Sequence, residues 1–173
     1  VCARGVAALG CDGASPARLG EANTRQGLGD LEVREDQCGA ARARYEAALG
    51  LFRAIPDRLG EANTLKALGD LERMEAQYGA ARARYEAALG LYRAIPDRLG
   101  EANTLKALGD LEVREDQYGA ARARYEAALG LFRAIPDRLG EANTLKALGQ
   151  LSQAEGDLDR AGKQFNAAAA LYR

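Results

Sequence analysis

The fold this sequence predicts is all-α, an α-solenoid of antiparallel helix pairs, and three observations predict it. The 173 residues repeat on themselves at a shift of forty. Inside each copy the apolar residues fall at steps of three and four, the spacing of one helix face and not of a strand. Between copies stands the same Ile-Pro-Asp break, at 55–57, 95–97 and 135–137. A period of this length means a solenoid or a propeller and not one globular core, and the helical spacing chooses the solenoid.

The units are residues 18–57, 58–97 and 98–137, with a shortened fourth at 138–173. The second and third differ only at Arg73/Val113, Met74/Arg114, Ala76/Asp116 and Tyr92/Phe132. The first and third differ only at Arg25/Leu105, Gln26/Lys106, Gly27/Ala107 and Cys38/Tyr118. Residues 1–17 fit the same register, since Ala3, Arg4, Ala7, Ala8, Leu9, Gly10, Ala14 and Pro16 match positions of the later second halves. They are expected to be the degraded second helix of a preceding unit.

In 98–137 the first helix is expected from about Arg98 to Glu115, with Leu99, Ala102, Leu105, Leu108 and Leu111 as its apolar stripe. The second is expected from about Gln117 to Ile135, on a seam of Tyr118, Ala121, Tyr125, Ala128, Phe132 and Ile135. A second seam of Ala120, Ala127, Leu131 and Ala134 predicts packing on two sides, by the partner helix and by the next unit. Proline ends each second helix, and Asp137 and its copies should cap the first helix that follows. Asp116 is the expected cap of the second helix, with Ala76 in its place costing about 1 kcal/mol. Gly109 marks a close crossing of the two helices, and Gly100, Gly119 and Gly130 are expected to meet neighbouring helices. In the last helix Ala161, Phe165, Ala168 and Leu171 keep the inner seam, while Lys163, Gln164 and Asn166 make it more polar, as a terminal cap requires.

Composition narrows the function. With 24 basic and 25 acidic residues there is no global attraction for nucleic acid or an anionic membrane. There is no histidine, which removes the usual proton shuttle and the commonest metal ligand. Three cysteines, Cys2, Cys11 and Cys38, form neither a disulfide framework nor a metal-binding spacing. Cys38 occupies the seam position of Tyr78 and Tyr118 and reads as a small apolar substitute. Reduced thiols favour a cytoplasmic location. No stretch is apolar for long enough to span a bilayer, and Val1-Cys2-Ala3-Arg4 does not begin a secretory leader. The chain does not begin with Met, as expected of a fragment or a processed product.

Leu105, Leu108-Gly109, Ala121, Tyr125, Ala128 and Pro136, recurring in each unit, resemble the tetratricopeptide repeat. Leu105 stands where Trp is usual in that pattern, and Glu112 where Tyr is common. The forty-residue period and the Ile-Pro-Asp-Arg-Leu-Gly-Glu-Ala junction resemble the long-repeat subclass of Pins/LGN-type adaptors and of STAND-type signalling NTPases. The resemblance implies a right-handed superhelix whose concave groove, lined by first helices, binds a protein or an extended peptide.

Carried over position by position, that groove falls on Asn103, Lys106, Asp110, Val113 and Arg114. These share one helix face by their spacing. The copies are Asn23, Gln26, Asp30, Val33 and Arg34; Asn63, Lys66, Asp70, Arg73 and Met74; and Asn143, Lys146, Gln150, Gln153 and Ala154. Stacking would align the asparagines as a ladder whose amides both donate and accept, suited to the peptide groups of an extended ligand. The Lys and Asp rows would add a positive and a negative stripe. A solvated face with Lys106–Asp110 pairs at i,i+4 is the competing reading.

Arg122 and Arg124 resemble a basic motif, yet Glu115 and Glu126 lie close in sequence and the aromatics are on the core seam, so nucleic acid is not expected. Glu112 and Glu115 read as a solvated surface pair and not as an acid/base couple. No phosphate-binding glycine loop is present, and neither a cofactor nor a metal is expected. The sequence therefore predicts a non-catalytic protein-binding scaffold. The alternative is a structural module that stacks end to end through an uncapped N-terminal end.

Overall fold

The computed structural model describes residues 14–173, and side chains from residue 16 onward. Those residues form eight α-helices: α1 (Ala14–Arg34), α2 (Cys38–Ala54), α3 (Arg58–Met74), α4 (Tyr78–Ala94), α5 (Arg98–Arg114), α6 (Tyr118–Ala134), α7 (Arg138–Ala154) and α8 (Leu158–Leu171). Odd-numbered helices are the first of each unit and even-numbered ones the second. The expected helix at 1–17 falls on residues 1–13, which lie outside the described part. Residues 14–17 belong to α1 instead, because Ala17 stands where Asp57 caps α3 and Pro16 is tolerated in a first turn.

The start of each later first helix is set by its aspartate. Asp57 and Asp97 each accept from two backbone N–H groups, Leu59 and Gly60 or Leu99 and Gly100, and Asp137 accepts from Gly140. The second helices differ from expectation. Gln37, Gln77 and Gln117 hold the cap position without a side-chain bond, and Asp116 does not cap. Asp36, Ala76 and Asp116 instead sit in the left-handed region at φ 58°, 58° and 56°, and Gly156 takes that place in the last unit at φ 82°. The residue there turns the chain between antiparallel helices, so its backbone conformation matters and not its oxygen.

Each of α3, α5 and α7 is clasped by two second helices. The core around α5 joins Ala81, Tyr85 and Leu89 of α4 to Leu105, Leu108 and Leu111 of α5 and to Ala128 and Phe132 of α6. Equivalent clusters centre on α3 and α7. The core units are therefore offset by one helix from the sequence units, which makes the hydrophobic interior continuous along the array.

Aromatic rings fit onto glycines at both kinds of contact. A Cβ on Gly109 would lie 2.6 Å from the Tyr125 ring within its unit, and one on Gly100 would lie 2.3 Å from the Tyr92 ring of the preceding unit. Gly119 and Gly130 have nothing within 4 Å, so the expected neighbour contacts there do not form. The second seam also fails: Ala120, Ala127 and Ala134 are exposed, and α6 reaches the next unit through Leu129 and Phe132. Leu99 likewise leaves the core and is 48% exposed.

First helices meet one another across units, α1 with α3, α3 with α5 and α5 with α7. Among the described residues, the backbones of successive second helices make no such approach, α6 and α8 being linked by the long side chains of Glu126 and Arg160 at 3.2 Å. An array whose first helices converge and whose second helices splay is curved, with the first helices on the inner side.

Candidate functional site

The inner face is built by the part of each first helix that the core leaves free. Ala102, Leu105, Leu108 and Leu111 are drawn inward, which turns Asn103, Lys106, Asp110 and Arg114 to the groove. Asn23, Asn63, Asn103 and Asn143 are all exposed. Three clefts open on this face. One of about 430 Å³ between α1 and α3 is lined by Asn23, Gln26, Asp30 and Asn63, with Leu19, Leu59 and Asp57. A second, about 310 Å³, holds Asp30, Val33, Arg34, Asp70 and Met74. The third, about 580 Å³, is lined by Arg73, Asp110, Val113, Arg114 and Gln150. Lys66, Asn103, Lys106, Asn143 and Lys146 share the face without lining these clefts, and so do Gln153 and Ala154.

Much of the aspartate row is engaged from behind. The hydroxyls of Tyr45, Tyr85 and Tyr125 donate to Asp30, Asp70 and Asp110 at 2.7, 2.7 and 2.8 Å. Lys66 and Lys106 reach the second oxygens of Asp70 and Asp110 at 2.8 and 2.9 Å, the i,i+4 pairs of the competing reading. Burial first, and then the adjacent aspartate, raises all three tyrosine pKa values well above the ordinary phenol range. In the fourth unit Gln150 and Phe165 replace Asp and Tyr together, so carboxylate and hydroxyl are lost as a pair. The hydroxyl of Tyr92 donates to Asn63 at 2.7 Å and that of Tyr172 to Asn143 at 2.7 Å. Phe52 and Phe132 cannot do so, which leaves Asn23 and Asn103 with unengaged amides among the described residues.

Glu112 is not a surface residue. It is 2% exposed, and its Oε1 accepts from Arg82 of α4 and Arg124 of α6, each at 3.3 Å, while Oε2 is buried without a partner. Arg82 also pairs with Glu115. Glu72 repeats the arrangement with Arg42 and Arg84, each at 3.3 Å. Arg42 and Arg82 tie one unit to the next while Arg84 and Arg124 tie the two helices of one unit, and a row of Arg53–Glu61, Arg93–Glu101 and Arg133–Glu141 pairs at 2.7 to 2.8 Å also joins successive units. The apparent basic motif is thus spent between helices. Its signal in the sequence was the recurrence of Glu112, Arg122 and Arg124 together, which only packing could pair. Among the described residues no group of three or more Cys, Asp or Glu side chains is placed to hold a metal, and no helix is long and apolar enough to cross a membrane.

A family model for the tetratricopeptide repeat matches residues 20–94 and 100–173. The chain belongs to the tetratricopeptide repeat family. Members of this family are generally non-catalytic scaffolds, and tetratricopeptide repeats generally bind proteins or peptides. Solved structures share the fold at low identity. BtubC (BKLC) from P. vanneervenii aligns with a TM-score of 0.79 at 19% identity, over 87% of this chain and 63% of its own. Aspartyl phosphate phosphatase F from Bacillus subtilis aligns at 0.85 and 14% identity, over 89% of this chain and 40% of its own. MamA aligns at 0.66 and 19% identity, over 92% of this chain and 82% of its own. This tetratricopeptide array therefore spans less than two thirds of the length of the first two. No curated protein matches its sequence.

Proposed function

We propose that the chain is a non-catalytic scaffold that holds a protein or extended peptide in the groove of its first helices. The units 18–57, 58–97, 98–137 and 138–173 act as one array. The observation that carries this reading is the coincidence of the three clefts with the one helix face the core leaves free. The period and the unit junction support a place among long-repeat Pins/LGN-type or STAND-sensor arrays, as the interaction or sensor region of a larger cytoplasmic signalling protein.

The test uses Asn23 and Asn103, because Asn63 also satisfies the buried Tyr92 hydroxyl and its loss would disturb the core. Asn23→Ala with Asn103→Ala should abolish partner capture at unchanged helicity and melting temperature. A photo-crosslinker at position 103 should trap the partner, and one at Ala127 on the outer face should not. Trapping from 127 alone moves the site to the outer side.

The self-assembly alternative meets a specific obstacle at α8. Gly162 replaces the arginine, and Ala169 the leucine, with which inner second helices hold the next unit. Light scattering over a concentration range decides it: a strict monomer at high concentration eliminates stacking.

A further inference from the structure

We infer that the groove is electrically polarised and takes a linear segment of matching polarity, with a Lys or Arg at the α1/α3 end, apolar residues in the middle and a Glu or Asp at the α5/α7 end. This rests on the groove being the binding surface and goes on to name the chemistry of its partner.

The four copies of two groove positions set the polarity. Gln26 stands where the later units have Lys66, Lys106 and Lys146, and Gln150 stands where the earlier ones have Asp30, Asp70 and Asp110. The first unit thus keeps the carboxylate without the ammonium, and the fourth the ammonium without the carboxylate. In the two middle units these charges close on each other at 2.8 and 2.9 Å.

The clefts follow the same order. The first presents Asp30 and Asp57 and no cation, beside Leu19 and Leu59, which suits a cationic head on an aliphatic stem. The second carries Val33, Leu71 and Met74 between Asp30, Asp70 and Arg34, and with Lys66 paired to Asp70 its charges balance around an apolar floor. The third brings Arg73 and Arg114 together, and its one carboxylate, Asp110, is already engaged by Lys106 and Tyr125. A two-residue exchange produces this contrast. Where α5 reads Val113-Arg114, α3 reads Arg73-Met74, which puts methionine into the second cleft and a guanidinium into the third. Arg73 keeps its charge there: burial opposes it, but Tyr85, Asp70 and Asp110 outweigh the burial and raise its pKa. Two guanidiniums with no free carboxylate attract an acidic side chain and can hold it by paired hydrogen bonds.

The separation of the end clefts sets the length of the segment. The cleft midpoints lie about 16 Å apart along a first helix and about 20 Å apart across two helix spacings, a diagonal of roughly 25 Å. Extended chain covers that in about eight residues.

The test uses five labelled peptides with blocked ends, long enough to reach both end clefts: Lys–apolar–Glu in both chain directions, the same with Lys alone, with Glu alone, and with Gln at all charged positions. Fluorescence anisotropy should find the doubly charged peptide tightest in one of its two directions and weakened by salt. Arg73→Val with Arg114→Met installs residues that other units already carry at those places. It should weaken the doubly charged peptide about tenfold and leave the Lys-only peptide unchanged. Asp30→Asn should weaken the Lys-only peptide and leave the Glu-only peptide unchanged. Equal binding of the Gln peptide, full retention by the double arginine variant, or no binding by any peptide overturns the inference. The groove itself stands or falls separately, on whether Asn23→Ala with Asn103→Ala abolishes capture of the intact partner.

Discussion

Ala76 shows how a single backbone angle outranks side-chain chemistry. Its φ of 58° is the left-handed conformation, which an L residue with a Cβ adopts only at a cost. Asp36 and Asp116 tolerate it better than alanine, and Gly156 meets no penalty. Ala76→Gly should therefore stabilise the protein by about 1 kcal/mol, seen as a rise in the urea midpoint at constant slope. Glu112 makes the opposite case, in which the side chain is everything. Glu112→Ala leaves Arg82 and Arg124 without a shared acceptor and should cost about 2 kcal/mol, below the usual cost of breaking a buried pair. The reduction follows because these arginines remain 26% and 31% exposed and can turn to water. The fourth unit shows the repair, where the Ser152 hydroxyl donates to Gln164 at 2.8 Å in place of the ion pair. Glu112→Ser with Arg124→Gln should recover most of the loss, as read by thermal melting.

Within a helix, the same residue type has two opposite roles. Gly69 and Gly109 lie under the rings of Tyr85 and Tyr125, where a Cβ would approach to 2.7 and 2.6 Å. The rings cannot retreat without losing their hydroxyl bonds to Asp70 and Asp110. Gly79, Gly90, Gly119 and Gly130 face open space on the outer side of α4 and α6. Replacing any of these four by alanine should stabilise the protein by roughly 0.5–1 kcal/mol through helix propensity alone. Gly109→Ala should destabilise it and should also shift the near-ultraviolet signal of Tyr125. Denaturant unfolding of the two sets of variants separates the roles, and equal effects would refute this assignment.

Across the whole array, stability draws on the Tyr–Asp links that back the inner face. Tyr45, Tyr85 and Tyr125 are buried against aspartates, and their raised pKa values make the folded state lose stability in the alkaline range. A folded pKa raised above the unfolded one gives stability that is present in full below about pH 10 and lost as the pH climbs through the raised values. Melting temperature should be flat approaching pH 10 and fall above it. Tyr85→Phe should lessen the fall, and an unchanged slope would show that this hydroxyl contributes nothing. The aspartates that face the groove are thereby fixed in place by the core, so a peptide held as proposed would meet carboxylates that are already oriented.

The repeat, the helix pairs, the aspartate caps and the aromatic seam could all be read from the residues, because helical periodicity and proline breaks are local properties of a chain. The same locality made the family recognisable and placed Asn103, Lys106, Asp110 and Arg114 on one face. Local reasoning failed where a partner lies about thirty residues away. Glu112 looked solvated because nothing near it in sequence announces Arg82, and the alanines at 120, 127 and 134 looked buried because periodicity registers apolarity without showing what covers it. Only the stacking of units decided which face met a neighbour, which carboxylates were claimed by tyrosines and arginines, and where the groove opens into clefts. Burial and pairing are set by distances between helices, and those distances arise when the rings of one helix settle onto the glycines of the next.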